Sequence, residues 1–259
     1  MKILLLRADS IRHRYLASLL KYEGFELSEL VESRVKNLQG VTPLLLRHFE
    51  AREQIEKDFF MDLIQADKIK SRKIRINEIN SPEALNFSKL YKPDMLITFG
   101  CGILKTEWLE QYPNKILGIH LGLSPYYRGA GTNFFPFVNN ELGAIGYTLM
   151  NLDNGIDTGA VIHQSYGKFI QGDSIHTVGT RIMRDMFIDI IKLINVQFPL
   201  NDSIKQPIIS NQKMYKRSDF TEKSLEKALE NIRLGCIDYH LSNIQSDRDK
   251  YPLVRRLSI

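Results

Sequence analysis

The chain has 259 residues, of which 43% are hydrophobic and 25% charged, and its formal net charge is +5. That length can bury a full core, and the composition is that of a globular protein rather than a disordered one. No apolar run approaches the roughly 20 residues of a membrane span, which argues against a membrane partner.

In chain order, Lys2–Leu6 reads as a first strand; its apolar run, Ile3 to Leu6, is too short for a signal-peptide core. Asp9 or Ser10 caps a helix that runs to about Tyr22 and is stopped by Gly24. Phe25–Val31 is a second strand. Thr42 followed by Pro43 opens a long helix to Ile64, with Leu45, Phe49, Phe59 and Leu63 on its apolar side. Arg72–Ile79 is a strand, Ser81-Pro82 opens another helix, and Asp94–Phe99 is a buried strand. A helix over Thr106–Tyr112 leads to a strand at Ile116–His120 and a loop marked by Gly122, Pro125, Gly129 and Gly131. After a short helix and another apolar strand comes the turn DNGIDTG, followed by a strand at Ala160–Gln164. Ile175, Val178, Ile182, Met186, Ile190 and Ile194 form a helical stripe. Beyond Pro199 the character shifts to a polar loop, a helix near Thr221–Leu234 and a charged tail.

This alternation predicts an α/β fold: a Rossmann-like, mostly parallel sheet with helices on both faces. The expected organisation is a catalytic domain over residues 1–200 and a helical or irregular extension over 201–259. Cys101 and Cys236 form no metal or redox spacing, which points to a reducing, cytoplasmic setting. Lys68, Lys70, Arg72, Lys73 and Arg75, interleaved with Ile69, Ile74 and Ile76, form the densest basic run. A solvated edge strand explains it more simply than a nucleic-acid patch. His13, His48, His163, His176 and His240 are scattered over different elements without metal-ligand spacing. Each reads as a core or surface group with local partners, and no metal is expected.

The chemistry concentrates between Ile116 and Asp157. His120 sits at the carboxyl end of a central strand, where open α/β sheets place ligands. Asp157 lies in a glycine-bounded turn after a further strand and can reach back to orient an imidazole. That pairing suits acyl transfer, with the histidine donating to a developing oxyanion or moving a proton, and the carboxylate holding the ring.

Three segments carry a resemblance: Gly118-Ile119-His120, then Gly122-Leu123-Ser124-Pro125 with Arg128-Gly129, and Asp153-Asn154-Gly155-Ile156-Asp157-Thr158-Gly159. Their order is similar to the signature of the formyltransferase family, which includes glycinamide ribonucleotide, methionyl-tRNA and sugar N-formyltransferases. The detailed match covers Asp94 to about Gln164. The resemblance implies an enzyme that uses 10-formyltetrahydrofolate as formyl donor to a primary amine, with His120 and Asp157 catalytic. The family's asparagine is replaced by Gly118. A water, the side chain of Asn133, or a weakened activity are the three accounts of that departure.

The resemblance places the folate between Phe99, Gly100, Cys101, Gly102, Ile103 and Leu104 on one side and Leu152, Asp153, Asn154, Gly155 and Ile156 on the other. Arg12 and Arg14, at the first helix, are candidates for a phosphate; Tyr126, Tyr127 and Arg128 are candidates for stacking on or pairing with a nucleotide or sugar. By length and architecture the chain looks most like the sugar N-formyltransferases, so the expected acceptor is a nucleotide-linked amino sugar. Methionyl-tRNA or another small amine as acceptor, hydrolysis of the folate, and a catalytically impaired binding module stay open, as does a homodimer.

Overall fold

The computed structural model describes residues 1–33, 40–196 and 200–258; Pro199, where the sequence changes character, lies outside them. Strands β1 (Lys2–Ala8), β2 (Glu26–Glu32), β3 (Arg72–Ile76), β4 (Met95–Phe99) and β5 (Ile116–His120) pair in parallel in the order β3-β2-β1-β4-β5. Between them run α1 (Ile11–Tyr22), α2 (Pro43–Ala66), α3 (Pro82–Tyr91) and α4 (Thr106–Gln111). After β5 come the short strand β6 (Tyr127–Gly129) and α5 (Phe135–Asn139). Then β7 (Gly146–Asn151) and β8 (Val161–Tyr166) add antiparallel to the β5 edge, completing a seven-stranded sheet.

The sheet is covered on both faces, as the alternation in the sequence requires. Ile3 and Leu5 point into a cluster with Leu16 and Leu20 of α1, Phe60 of α2 and the stripe of α6 (Ile175–Val196). Leu4 and Leu6 point the other way, against Ala84 and Phe87 of α3 and Trp108 of α4. Thr42 and Ser81 cap α2 and α3 by accepting from the amides of Leu45 and Ala84, with proline at the first helical position in both.

The long helix departs from expectation at Phe59, while Leu45 and Phe49 face inward as expected. Phe59 is 37% exposed, whereas Phe60 is fully buried. The inward face runs through Phe49, Arg52, Glu56 and Phe60, the i, i+3, i+7, i+11 positions. A buried carboxylate on that face, Glu56, meets Arg12 of α1 in an ion pair, so the inward face carries charge as well as apolar residues.

The second half of the basic run, Arg72, Lys73 and Arg75, lies in β3, at the edge of the sheet, while Lys68 and Lys70 precede the strand. Arg75 pairs with Asp9 at 2.8 Å, and the Arg72 guanidinium lies over the Phe87 ring at 4.7 Å. Residues beyond 200 contribute β9 (Lys213–Tyr215), α7 (Glu222–Arg233), α8 (Cys236–Ser242) and α9 (Ile244–Asp249). Leu225, Ala228, Ile237 and Tyr251 join the same hydrophobic cluster as the α6 stripe. β9 pairs in parallel with β6, a two-stranded ribbon that the sequence reading lacks. Among the described residues no helix is long and apolar enough to cross a membrane.

Candidate active site

The carboxyl ends of the parallel strands open onto two cavities that share a wall. His120 ends β5, and Asp157 lies in the turn between β7 and β8 with φ +54°, a left-handed conformation that Asp tolerates better than most residues. His120 Nδ1 is 3.2 Å from Asp157 Oδ2, and Nε2 is 2.9 Å from the Tyr127 carbonyl. Both ring nitrogens therefore face oxygen acceptors, and the buried imidazole is fixed in orientation. The same Oδ2 accepts from the Gly129 amide at 2.8 Å. Gln206 Nε2 donates to the carbonyls of Asp157 and Gly159 at 2.9 and 2.8 Å, so the turn is clamped at its backbone as well.

The smaller cavity, about 140 Å³, is lined by Gly100 to Leu104, Gly118, Leu152, Asp153, Gly155 and Ile156. Most of the residues expected around a folate therefore converge. Phe99 instead faces the larger cavity, and Asn154 accepts from the Thr106 hydroxyl at 3.3 Å. Ile103 and Ile156, 62% and 44% exposed, offer apolar surface on the two loops at the rim. A flat heterocycle could cover that surface, so the residues fit such a group. Gly100 also has an internal reason to be glycine: its φ is +69°, and a Cβ there would run into the His13 ring.

At Gly118 a Cβ would collide with the end of the Leu152 side chain, so the position takes a larger residue only if that leucine moves. Asn133 lines the larger cavity, but its amide is committed in both directions to Gly146, donating to the carbonyl at 2.8 Å and accepting from the amide at 3.0 Å. The Gly146 carbonyl takes one of its two Nδ2–H donors and fixes the amide's orientation on the cavity wall.

The larger cavity, about 670 Å³, extends from His120 and Asp157 toward α1, α2 and α6. Its walls hold Arg12, His48, Arg52 and His176, with Lys216, Arg217 and Phe220 reaching in from the segment after β9. Of the residues expected to meet an acceptor, Arg12 reaches it. Arg14 does not; it is turned to Asp9 at 2.9 Å. Tyr126 and Tyr127 are corrected to core residues: their hydroxyls donate to the Pro252 carbonyl and to Glu141, and Tyr127 is fully buried. Arg128 is an anchor, donating to Gln206 at 2.7 Å and Gln212 at 2.9 Å. It thereby holds the glutamine that holds Asp157.

The scattered histidines also need revision. The rings of His48 and His176 lie 4.4 Å apart on the cavity wall. Burial, then the neighbouring His176 and Arg52 charges, push His48 down to about 4. Burial, then Arg52 and Arg12, push His176 down to about 4 as well. Among the described residues, no His, Cys, Asp or Glu group is arranged to hold a metal ion.

The model of one protein family, formyl transferase, matches residues 50–187, just over half of the chain. The chain belongs to the formyl transferase family. A methionyl-tRNA formyltransferase from Desulforamulus reducens is 33% identical over 95 residues, 36% of this chain and 30% of that protein. The match thus spans less than a third of that relative's length. Among solved structures, the formyltransferase PseJ from Anoxybacillus kamchatkensis, in complex with UDP-4,6-dideoxy-4-formamido-L-AltNAc and tetrahydrofolate, superposes with a TM-score of 0.52 at 18% identity. It covers 87% of this chain and 90% of its own. Phosphoribosylglycinamide formyltransferase from Streptococcus pneumoniae gives a TM-score of 0.56 at 18% identity, covering 76% of this chain and 99% of its own. These likenesses establish a formyl transferase fold, with His120, Asp157 and both cavities inside or beside the matched region.

Proposed function

We propose that this protein transfers a formyl group from 10-formyltetrahydrofolate to the primary amine of a nucleotide-linked amino sugar. The observation that carries this reading is the His120–Asp157 pair at the junction of two cavities, one with apolar lips and the other wide and cationic. What supports the acceptor class is the likeness to a formyltransferase in complex with a UDP-linked formamido sugar, which covers 87% of this chain and 90% of its own.

When bound, the folate supplies a formyl group already activated on nitrogen. Cys101, Ile103, Leu104 and Leu152 would hold its ring in the smaller cavity. The chain's own work is positional and electrostatic. Asp157, fixed by Gly129 and Gln206, holds the imidazole in one orientation. His120 Nε2, which faces the Tyr127 carbonyl, exchanges that acceptor for the charge developing on the formyl oxygen, and the ring takes part in moving the proton that the attacking amine must lose. No covalent bond to the protein is required. With Gly118 in place of the family's asparagine, the burden of transition-state stabilisation falls more heavily on His120.

The test is turnover with 10-formyltetrahydrofolate against UDP- and dTDP-linked amino sugars, glycinamide ribonucleotide and methionyl-tRNA, monitoring both formylated amine and free formate. We expect formylated sugar, and we expect His120→Ala to lower kcat by at least about 10²-fold while 5-formyltetrahydrofolate still binds. Undiminished transfer by that variant, or formylation of methionyl-tRNA alone, would overturn the reading.

A further inference from the structure

The far end of the larger cavity carries an unbalanced set of cations. Glu56 of α2 is almost fully buried, and two guanidiniums converge on it: Arg12 of α1 in direct contact and Arg52 Nε at 4.0 Å from the same oxygen. Glu53, the other carboxylate near Arg52, is also bound by Lys57 at 3.0 Å. Arg12 Nε is buried without an acceptor and Glu56 Oε1 beside it without a hydrogen-bond donor, so the contact between the two leaves polar capacity unused on both sides. A buried N–H left unpaired is costly, and paired Arg groups short of acceptors are the usual frame for a bidentate anion. His48 and His176, tilted against each other on the same wall as Arg52, add imidazole N–H donors.

We propose that Arg12, Arg52, His48 and His176 form an anion subsite that anchors the diphosphate of the acceptor. Arg52 is its principal determinant and the α2 helix its platform. The inference rests on the acceptor reading above and adds to it the residues that grip the phosphates.

Both substrates of such an enzyme carry anions, since the donor ends in glutamate carboxylates. Position assigns the subsite to the acceptor. The loops bearing Ile103 and Ile156 line the smaller cavity, whereas the cluster lines only the larger one; the two meet around His120, Asp157 and Ile119. An amine seated at His120 leaves the rest of the acceptor to extend toward α2. A volume of about 670 Å³ is of the size that encloses a nucleotide-sized ligand.

Titration calorimetry on the full chain with inorganic diphosphate, UDP, dTDP and 5-formyltetrahydrofolate separates the possibilities. Arg52→Gln is the main variant, because Arg52 is partly exposed and its loss leaves the Arg12–Glu56 pair intact. We expect it to weaken inorganic diphosphate and at least one nucleoside diphosphate tenfold or more, with folate affinity changed less than twofold. The paired variant Arg12→Met with Glu56→Gln, which removes both buried charges together, is expected to act in the same direction. Unchanged diphosphate binding in Arg52→Gln, or a wild type that binds neither diphosphate nor nucleotide, overturns the subsite but leaves formyl transfer standing. Loss of folate affinity instead assigns the cluster to the donor's carboxylates and also overturns it. A wild type that binds diphosphates through Arg52 but no folate keeps the subsite and removes the functional reading.

Discussion

Gly118 and Leu152 pack so closely that a Cβ on the first would meet the side chain of the second. Introducing Gly118→Asn alone overpacks the strand against Leu152 and is expected to cost about 1–3 kcal/mol of stability without raising turnover. Combining it with Leu152→Ala opens the space. If the oxyanion lies near this position, the double variant gains a donor of a kind typically worth about 2.7–4 kcal/mol at the transition state. Thermal melts and kcat/KM of the single and double variants measure both effects. Asp157→Asn is a cleaner probe of the carboxylate, since Asn also tolerates a φ of +54°; we expect a normal melting temperature and a fall of about 10²-fold in kcat. His120 and Asp157 were legible in the sequence because glycine and proline turns bracket them at strand ends. Arg52, Glu56, His48 and His176 were not. Charges on a helix ordinarily mark its solvent side, and only the spacing of Phe49, Arg52, Glu56 and Phe60 along one inward face carries the signal.

At the level of elements, the junction of α2 with α6 makes the fold sensitive to acid. His48 and His176 take up a proton only near 4 in the folded state, whereas the unfolded chain does so near 6.5. Between those values the unfolded chain binds more protons, so stability is level above about pH 6.5 and declines as pH falls toward 4. His240, lowered in the same sense by burial against the pull of Asp247, adds to this window. Carboxylates held low contribute elsewhere. Burial works against the Asp173 carboxylate, but the Arg181 side chain and the Ile170 amide prevail, so its contribution is lost only below the ordinary carboxylate value of 3.8. We expect the melting temperature to drop between pH 7 and 4.5, and His48→Gln with His176→Gln to flatten that drop; an equally steep profile in the double variant would contradict the assignment. The elements themselves were largely readable, since β1 to β5 and α6 carry long apolar patterns. The ribbon of β6 and β9 was not, because each strand has three residues and pairs across more than eighty positions. Its register comes from tertiary contact rather than from alternation.

Across the whole molecule, the residues after 200 reach the His120–Asp157 pair through the backbone of its loops. Gln206 holds the Asp157 turn and is itself held by Arg128, while the Tyr215 carbonyl accepts from Ala130, next to the Gly129 amide that meets Asp157 Oδ2. Gly129 has a φ of +89°, and a Cβ there would strike the Tyr215 carbonyl, so this approach is open only to glycine. The sequence could not reveal the coupling, because glutamine in a polar segment has no pattern of its own. On the proposed reading Gln206 is a positioning residue, since its amide meets the Asp157 and Gly159 carbonyls and not the carboxylate. Gln206→Leu leaves the carbonyls of Asp157 and Gly159 without their donor while preserving side-chain bulk. If the segment were only a structural cover, that change would lower stability and leave the kinetics of the surviving enzyme alone. Because the clamp instead fixes the carboxylate that orients His120, we expect kcat to fall by about tenfold, equivalent to about 1.4 kcal/mol at the transition state. KM for the acceptor should stay within about twofold, since Arg52 and the α2 wall are untouched. A variant in which KM rises while kcat holds would place Gln206 with the acceptor rather than with the catalytic pair.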